Sequence, residues 1–145
     1  MNKSRETVLL TGASGFIGLH CTRLLLQSGF KVRGTIRNQE KKNLVQNLMA
    51  ADDCGAKNLE LTQLDLTSDV GWDAAMQGCD YVMHVASPFW IANPKNESDM
   101  LTPAVEGTLR VLRAANKAQV KRVVLTSSIV SMMSSQFCPV RNILH

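Results

Sequence analysis

The stretch Thr11-Gly12-Ala13-Ser14-Gly15-Phe16-Ile17-Gly18 decides how this chain folds. It follows a short apolar run, Thr7 to Leu10, and opens a segment with apolar residues at Phe16, Ile17, Leu24 and Leu25 and with Cys21 between them. That pattern predicts a strand turning through glycines into a helix over Phe16 to Gln27 that packs on a sheet. Gly12 permits the tight turn, Gly15 removes the Cβ that would block a diphosphate, and Gly18 lets helix and strand pack closely. The helix start turns unpaired N–H groups and a partial positive charge toward the loop, which suits the pyrophosphate of a dinucleotide. Thr11, Gly12, Ser14, Gly15, Phe16, Ile17 and Gly18 are the first candidate cofactor contacts. No Gly-Lys-Ser/Thr follows, which excludes the phosphate loop of nucleotide hydrolases.

Outward from this loop the chain alternates short strands with helices. Ser28-Gly29 closes the first helix, Lys31 to Ile36 reads as a second strand with Val32, Gly34 and Ile36 on one face, and Gln39 to Ala50 reads as a helix. A loop over Asp52 to Asn58 leads to a strand at Leu59 to Leu64, a short helix at Val70 to Gln77 closed by Gly78, and a strand at Tyr81 to Val85. After a break at Pro88, the longest helix runs from Ser98 to Ala118; Pro103 is tolerable only near its start, and Glu106 and Arg110 have the spacing of an ion pair. Val123 to Thr126 is the fifth strand. Such alternation predicts an α/β fold, a Rossmann-type doubly wound parallel sheet of order 3-2-1-4-5, truncated after the fifth strand.

Composition narrows the function classes. The 145 residues are 45% hydrophobic and 19% charged, as in a globular domain, and no apolar run approaches the roughly 20 residues that span a bilayer. The polar start, Met1 to Glu6, has no signal-peptide pattern, so a cytoplasmic protein is expected. The net charge of +4 is dispersed and aromatics are 5%, which argues against a nucleic-acid surface. Cys21, Cys54, Cys79 and Cys138, with His20, His84 and His145, lack metal-ligand spacing, so free thiols and no metal are expected. The glycosylation patterns at Asn2 and Asn96 carry no meaning without secretion.

The strand ends supply the remaining candidates. An NAD-specific fold places an acid at the end of strand two, whereas this chain has Arg37-Asn38. An arginine there either pairs with a 2′-phosphate, favouring NADP over NAD and assisted by Arg33 or Lys41, or is simply solvated. Asp65, followed by Leu66, either accepts from an adenine amino group or caps its own turn. Val85, Ala86 and Ser87 are small enough to admit a nicotinamide ribose, and Pro88 follows them. Thr126-Ser127-Ser128 leaves strand five, where the two serine hydroxyls serve a turn or hold a substrate carbonyl.

Taken in order, Val8 to Gly18, Val32 to Arg37, Asp65-Leu66, His84 to Pro88, Glu106 to Thr108 and Arg122 to Ser128 resemble the extended short-chain dehydrogenases/reductases (the NAD-dependent epimerase/dehydratase family), the dihydroflavonol reductase and cinnamoyl-CoA reductase type above all. The resemblance implies NADPH-dependent reduction of a small-molecule carbonyl. Arg37 and Lys41 would then take the 2′-phosphate, Asp65 and Leu66 the adenine, and Val85, Ala86, Ser87 and Ser127 the ribose and nicotinamide side, with Ser128 as the catalytic serine. It also implies a Tyr-x-x-x-Lys pair some way after Ser128; the single tyrosine here is Tyr81, with valine four places on. Residues 1–128 are thus expected to form an incomplete NAD(P)-binding domain, with 129–145 a divergent tail and the substrate domain absent. The alternatives are a non-catalytic NADP-binding module or an inactive truncated product, and an uncovered fifth strand is expected to favour self-association.

Overall fold

β1, Thr7–Thr11, is buried along nearly all its length because strands flank it on both sides and helices cover both faces. In the computed structural model, residues 6–52, 55–88, 96 and 98–129 are described. The elements follow as α1 (Phe16–Gln27), β2 (Lys31–Ile36), α2 (Gln39–Ala51), a 3₁₀ turn (Ala56–Asn58), β3 (Leu59–Gln63), α3 (Trp72–Met76), β4 (Tyr81–His84), α4 (Ser98–Lys117) and β5 (Arg122–Leu125). The five strands are parallel in the order β3-β2-β1-β4-β5, as the alternation predicted, with Val8 paired to Val32 on one side and to Tyr81 on the other.

Because successive strand residues point to opposite faces, β1 feeds two cores. Leu9 joins Val82, Trp72, Met76, Val111 and Ala115 beneath α3 and α4, and Leu10 joins Val32, Ile36, Leu26, Val45 and Met49 beneath α1 and α2. Met76 is fully buried, so Met76→Ala is expected to cost about 2–5 kcal/mol, seen as a lower denaturation midpoint at unchanged slope.

Two expectations need correcting. Phe16, Ile17 and Leu24 of α1 do not pack on the sheet; they are 80%, 52% and 62% exposed. The helical period puts Gly18, Thr22 and Leu26 on the inner face instead, and Thr22 is tolerated there because its hydroxyl donates to the Gly18 carbonyl at 2.8 Å. Nor do Glu106 and Arg110 pair. Arg110 turns inward to Asp69 and the Leu66 carbonyl, and Glu106 meets Arg113 at 3.7 Å. A half-buried guanidinium gains more from two such acceptors than from one solvated carboxylate. Pro103 sits in the second turn of α4, within the helix.

At the amino ends of the strands, Lys121 Nζ lies 2.9 Å from Glu6 Oε1 and 2.8 Å from Asp80 Oδ1. Tyr81 donates its hydroxyl to Glu6 at 3.0 Å, and the Thr7 amide donates to Asp80 at 2.9 Å. Hydrogen bonding to Lys121 holds both carboxyls below their usual range, and the bond to Glu6 pushes the Tyr81 hydroxyl up. Beyond β4, β5 is the sheet edge among the described residues, with Val124 and Leu125 about half exposed. No described helix is long and apolar enough to cross a membrane.

Candidate cofactor-binding site

The carboxyl ends of β1 to β4 open into one cleft of about 970 Å³, the place where open parallel sheets bind ligands. The glycine loop is its floor. Gly12 has φ +72°, its carbonyl accepts from the Gly15 amide at 3.0 Å, and Gly15 in extended conformation caps α1 with no side-chain bond. No acidic residue lies in the first turn of α1, so the positive end of the helix is not neutralised from within. A Cβ on Gly15 would meet only the Gly12 carbonyl oxygen, at 3.4 Å, and otherwise point into open space. On Gly18 a Cβ would fall 2.0 Å from that same oxygen. The close approach required at Gly18 is therefore between helix and loop. Ser14, Phe16 and Ile17 line the cleft with the glycines.

The loop is fastened to β2 through Thr35, whose hydroxyl accepts from the Gly12 amide at 3.1 Å and whose carbonyl accepts from the Ala13 amide at 3.0 Å. Just beyond, Arg37 and Lys41 wall the far end of the cleft. Asn38 caps α2 by accepting from the Lys41 amide at 2.9 Å, which holds Lys41 in the first turn; Gln63 donates to the Arg37 carbonyl at 2.9 Å. The nearest acid in sequence, Glu40, is not among the lining residues. Arg33 is committed elsewhere, to Glu60 at 2.9 Å and to the Ala75 and Gln77 carbonyls at 2.7 and 2.9 Å.

Asp65 caps its own turn and also lies where an adenine contact would need it. It lines the cleft, and its Oδ1 accepts from the Thr67 amide and hydroxyl, both at 2.8 Å, bonds that hold its carboxyl below the usual range. Leu66 lines the cleft beside it with Gly107 of α4 close behind, where a Cβ would sit 3.1 Å from the Leu66 Cβ. Trp72 secures this loop by donating to the Asp65 and Ser68 carbonyls at 3.2 and 3.0 Å.

Val85, Ala86 and Ser87 form the wall opposite. Thr11 does not reach the cleft: strand alternation turns its side chain inward, fully buried, where Oγ1 accepts from the Val85 and Ala86 amides at 3.0 Å each. It holds the wall rather than touching what the wall contains. Ser127 and Ser128 follow β5, whose end is tied to β4 by the Thr126 amide donating to the His84 carbonyl at 3.0 Å. Both serines are exposed and are not among the lining residues. Thr35, Ile36, Leu64, Thr67, Trp72 and Pro88 line the cleft without having been singled out from the sequence. Thr35, Ile36, Leu64 and Pro88 adjoin candidates at strand ends, whereas Trp72 is brought in by the loop's return and left no local signal.

Among the described residues no group of three or more His, Cys, Asp and Glu side chains could hold a metal ion. Cys21 and Cys79 are free thiols, and Cys54 and Cys138 lie outside the described residues.

The model for the NAD dependent epimerase/dehydratase family matches residues 8–137, which runs past Ser128. Among curated proteins, an anthocyanidin reductase of Vitis vinifera is 36% identical over 91% of this chain and 39% of its own length. A dihydroflavonol 4-reductase of Dianthus caryophyllus is 40% identical over 85% of this chain and 34% of its own. Among solved structures, the yeast methylglyoxal/isovaleraldehyde reductase Gre2, in complex with NADPH, superposes with a TM-score of 0.75 at 32% identity, covering 86% of this chain and 37% of that one. The chain thus spans well under half the length of these relatives.

Proposed function

We propose that this chain, which belongs to the NAD dependent epimerase/dehydratase family, binds NADP as the cofactor-holding portion of a carbonyl reductase of the dihydroflavonol-reductase type. One observation carries the cofactor choice: the wall at the end of β2 presents Arg37 and Lys41, while Glu40, the nearest acid in sequence, is not among the lining residues. A 2′-phosphate suits a bidentate guanidinium, whereas a bare ribose hydroxyl would gain little from it. Gly12, Ser14, Gly15, Phe16, Ile17 and Gly18 hold the pyrophosphate, Asp65 and Leu66 the adenine, and Val85, Ala86 and Ser87 the ribose and nicotinamide. Bound NADPH would supply the hydride. By its place in the family's pattern, Ser128 would hold the oxygen of a small-molecule carbonyl.

A proton must also reach that oxygen. The single tyrosine, Tyr81, is at the other end of the sheet with its hydroxyl bound to Glu6. Without a positioned acid, general acid catalysis worth about 10²–10⁴ in rate is missing. These 145 residues are therefore expected to bind NADPH and to consume none measurably with aldehydes or ketones. The free thiols of Cys21 and Cys79 support a cytoplasmic setting.

Calorimetric titration with NADP and NAD tests the cofactor reading. Binding of NADP at least tenfold tighter than NAD is expected, and equal affinities would remove the 2′-phosphate assignment. The half-exposed Val124 and Leu125 of β5 further support self-association along the sheet edge. Analytical ultracentrifugation is expected to show concentration-dependent dimers that Val124→Lys suppresses; a monomer at every concentration would refute this.

A further inference from the structure

Thr11 Oγ1 lies 3.0 Å from the Val85 amide nitrogen, 3.0 Å from that of Ala86 and 2.7 Å from His84 Nδ1. A hydroxyl has one proton to donate and two lone pairs to offer, and a backbone amide can only donate. The two amides therefore occupy both lone pairs. The hydroxyl proton has His84 Nδ1 as its acceptor, so that nitrogen carries a lone pair and the ring is neutral, protonated at Nε2.

We propose that His84 is a positioning residue for the cofactor cleft: its neutral ring orients the Thr11 hydroxyl, and that hydroxyl fixes the Val85–Ala86 backbone forming the wall. The functional part of this inference rests on the NADP reading above. A protonated ring would aim a third donor at the same oxygen and leave the Thr11 proton without an acceptor. Thr11 and His84 are both essentially fully buried, so water cannot repair the mismatch.

The surroundings offer a charged ring no compensation. β1 has no titratable side chain, and Asp80 and Arg122 sit at the opposite ends of β4 and β5. Val82 and Leu9, on the same faces of their strands as His84 and Thr11, pack beneath α3 and α4. The charged groups of those helices pair away from the ring: Lys117 with Asp73, Arg113 with Glu106, and Arg110 with Asp69. Burial alone lowers the His84 pKa below its ordinary 6.5. The folded state thus favours the neutral ring. Its contribution is complete above the unfolded value of 6.5 and is lost as pH falls below that toward the folded pKa.

The test uses two variants of the full chain. His84→Asn can place an amide oxygen where Nδ1 stands, and His84→Phe keeps the ring without an acceptor. At pH 7.5, His84→Asn is expected to bind NADP within about threefold of the parent and His84→Phe about tenfold more weakly, as one orphaned buried hydroxyl dictates. Between pH 7 and 5 the 2′-phosphate of the ligand also takes up a proton, with a pKa of about 6 if it follows other phosphate monoesters. Only the parent is expected to show an additional loss of affinity beyond that shared with His84→Asn. Ring nitrogen NMR at pH 7 is expected to report the Nε2–H form for the signal absent from His84→Asn. Identical pH profiles for parent and His84→Asn, parent-like binding by a folded His84→Phe, or an Nδ1–H signal would each overturn the proposal. If the parent itself fails to bind NADP, the functional reading falls, and the NMR result still decides the hydrogen-bond assignment.

Discussion

Gly18→Ala is expected to eliminate measurable NADP binding and to lower the unfolding free energy by about 3 kcal/mol, the upper part of the range for overpacking. The added methyl would sit 2.0 Å from the Gly12 carbonyl oxygen, 2.9 Å from its carbon and 3.0 Å from the Ala13 Cα. All three are backbone atoms, so no side-chain rotation relieves the clash; α1 must lift or the loop must open. Either movement carries the amino end of α1 away from the bend that Gly12 and Gly15 make. Gly15→Ala separates folding from binding. Its methyl meets one atom at 3.4 Å and otherwise enters the cleft, so parent-like unfolding with at least tenfold weaker binding is expected. Denaturant unfolding and titration of the two variants provide the check. A Gly18→Ala protein as stable as its parent would mean that the helix and loop have slack where none is visible.

Arg37→Ala is expected to weaken NADP by about 10–100-fold and to leave NAD unchanged, the scale of charge-assisted hydrogen bonds in a site partly open to water. Lys41→Ala should cost less, about threefold, since its ammonium is a flexible point charge without the planar fork of arginine. The Arg37 effect should shrink with added salt, because the Debye length falls from about 10 Å at 0.1 M to about 3 Å at 1 M. If Arg37→Ala weakened both cofactors equally, Arg37 would be supporting the end of β2 and not recognising a phosphate.

The strand order was legible because five short strand patterns alternate with helical ones along the chain, and only crossover connections in a parallel sheet accommodate that alternation. Element ends were less so. α3 is Trp72–Met76 and omits Val70, which is 79% exposed, because an apolar residue in a loop looks locally like one in a helix. Within the site, backbone-dominated features such as Gly12 and Gly15 read directly, since glycine reports what its backbone must do. Thr11 illustrates the limit. A hydroxyl beside a phosphate-type loop suggests a ligand contact, yet its side-chain direction depends on strand parity, and its partners are 73 to 75 residues away. Arg33 and Arg37, four residues apart, looked alike in sequence. β2 commits the first to Glu60 and two carbonyls and releases the second to the cleft.

The central position of β1 also orders events during synthesis. It pairs first with β2, 24 residues along in register, and its other neighbour, β4, emerges about fifty residues later still. The glycine loop and Arg37 can therefore be assembled on the ribosome while the Val85–Ala86 wall is yet to be translated. Until β4 arrives, the exposed flank of β1 is an apolar edge on a half-built sheet. Nascent chains stalled between β2 and β4 should be where this fold most needs a chaperone.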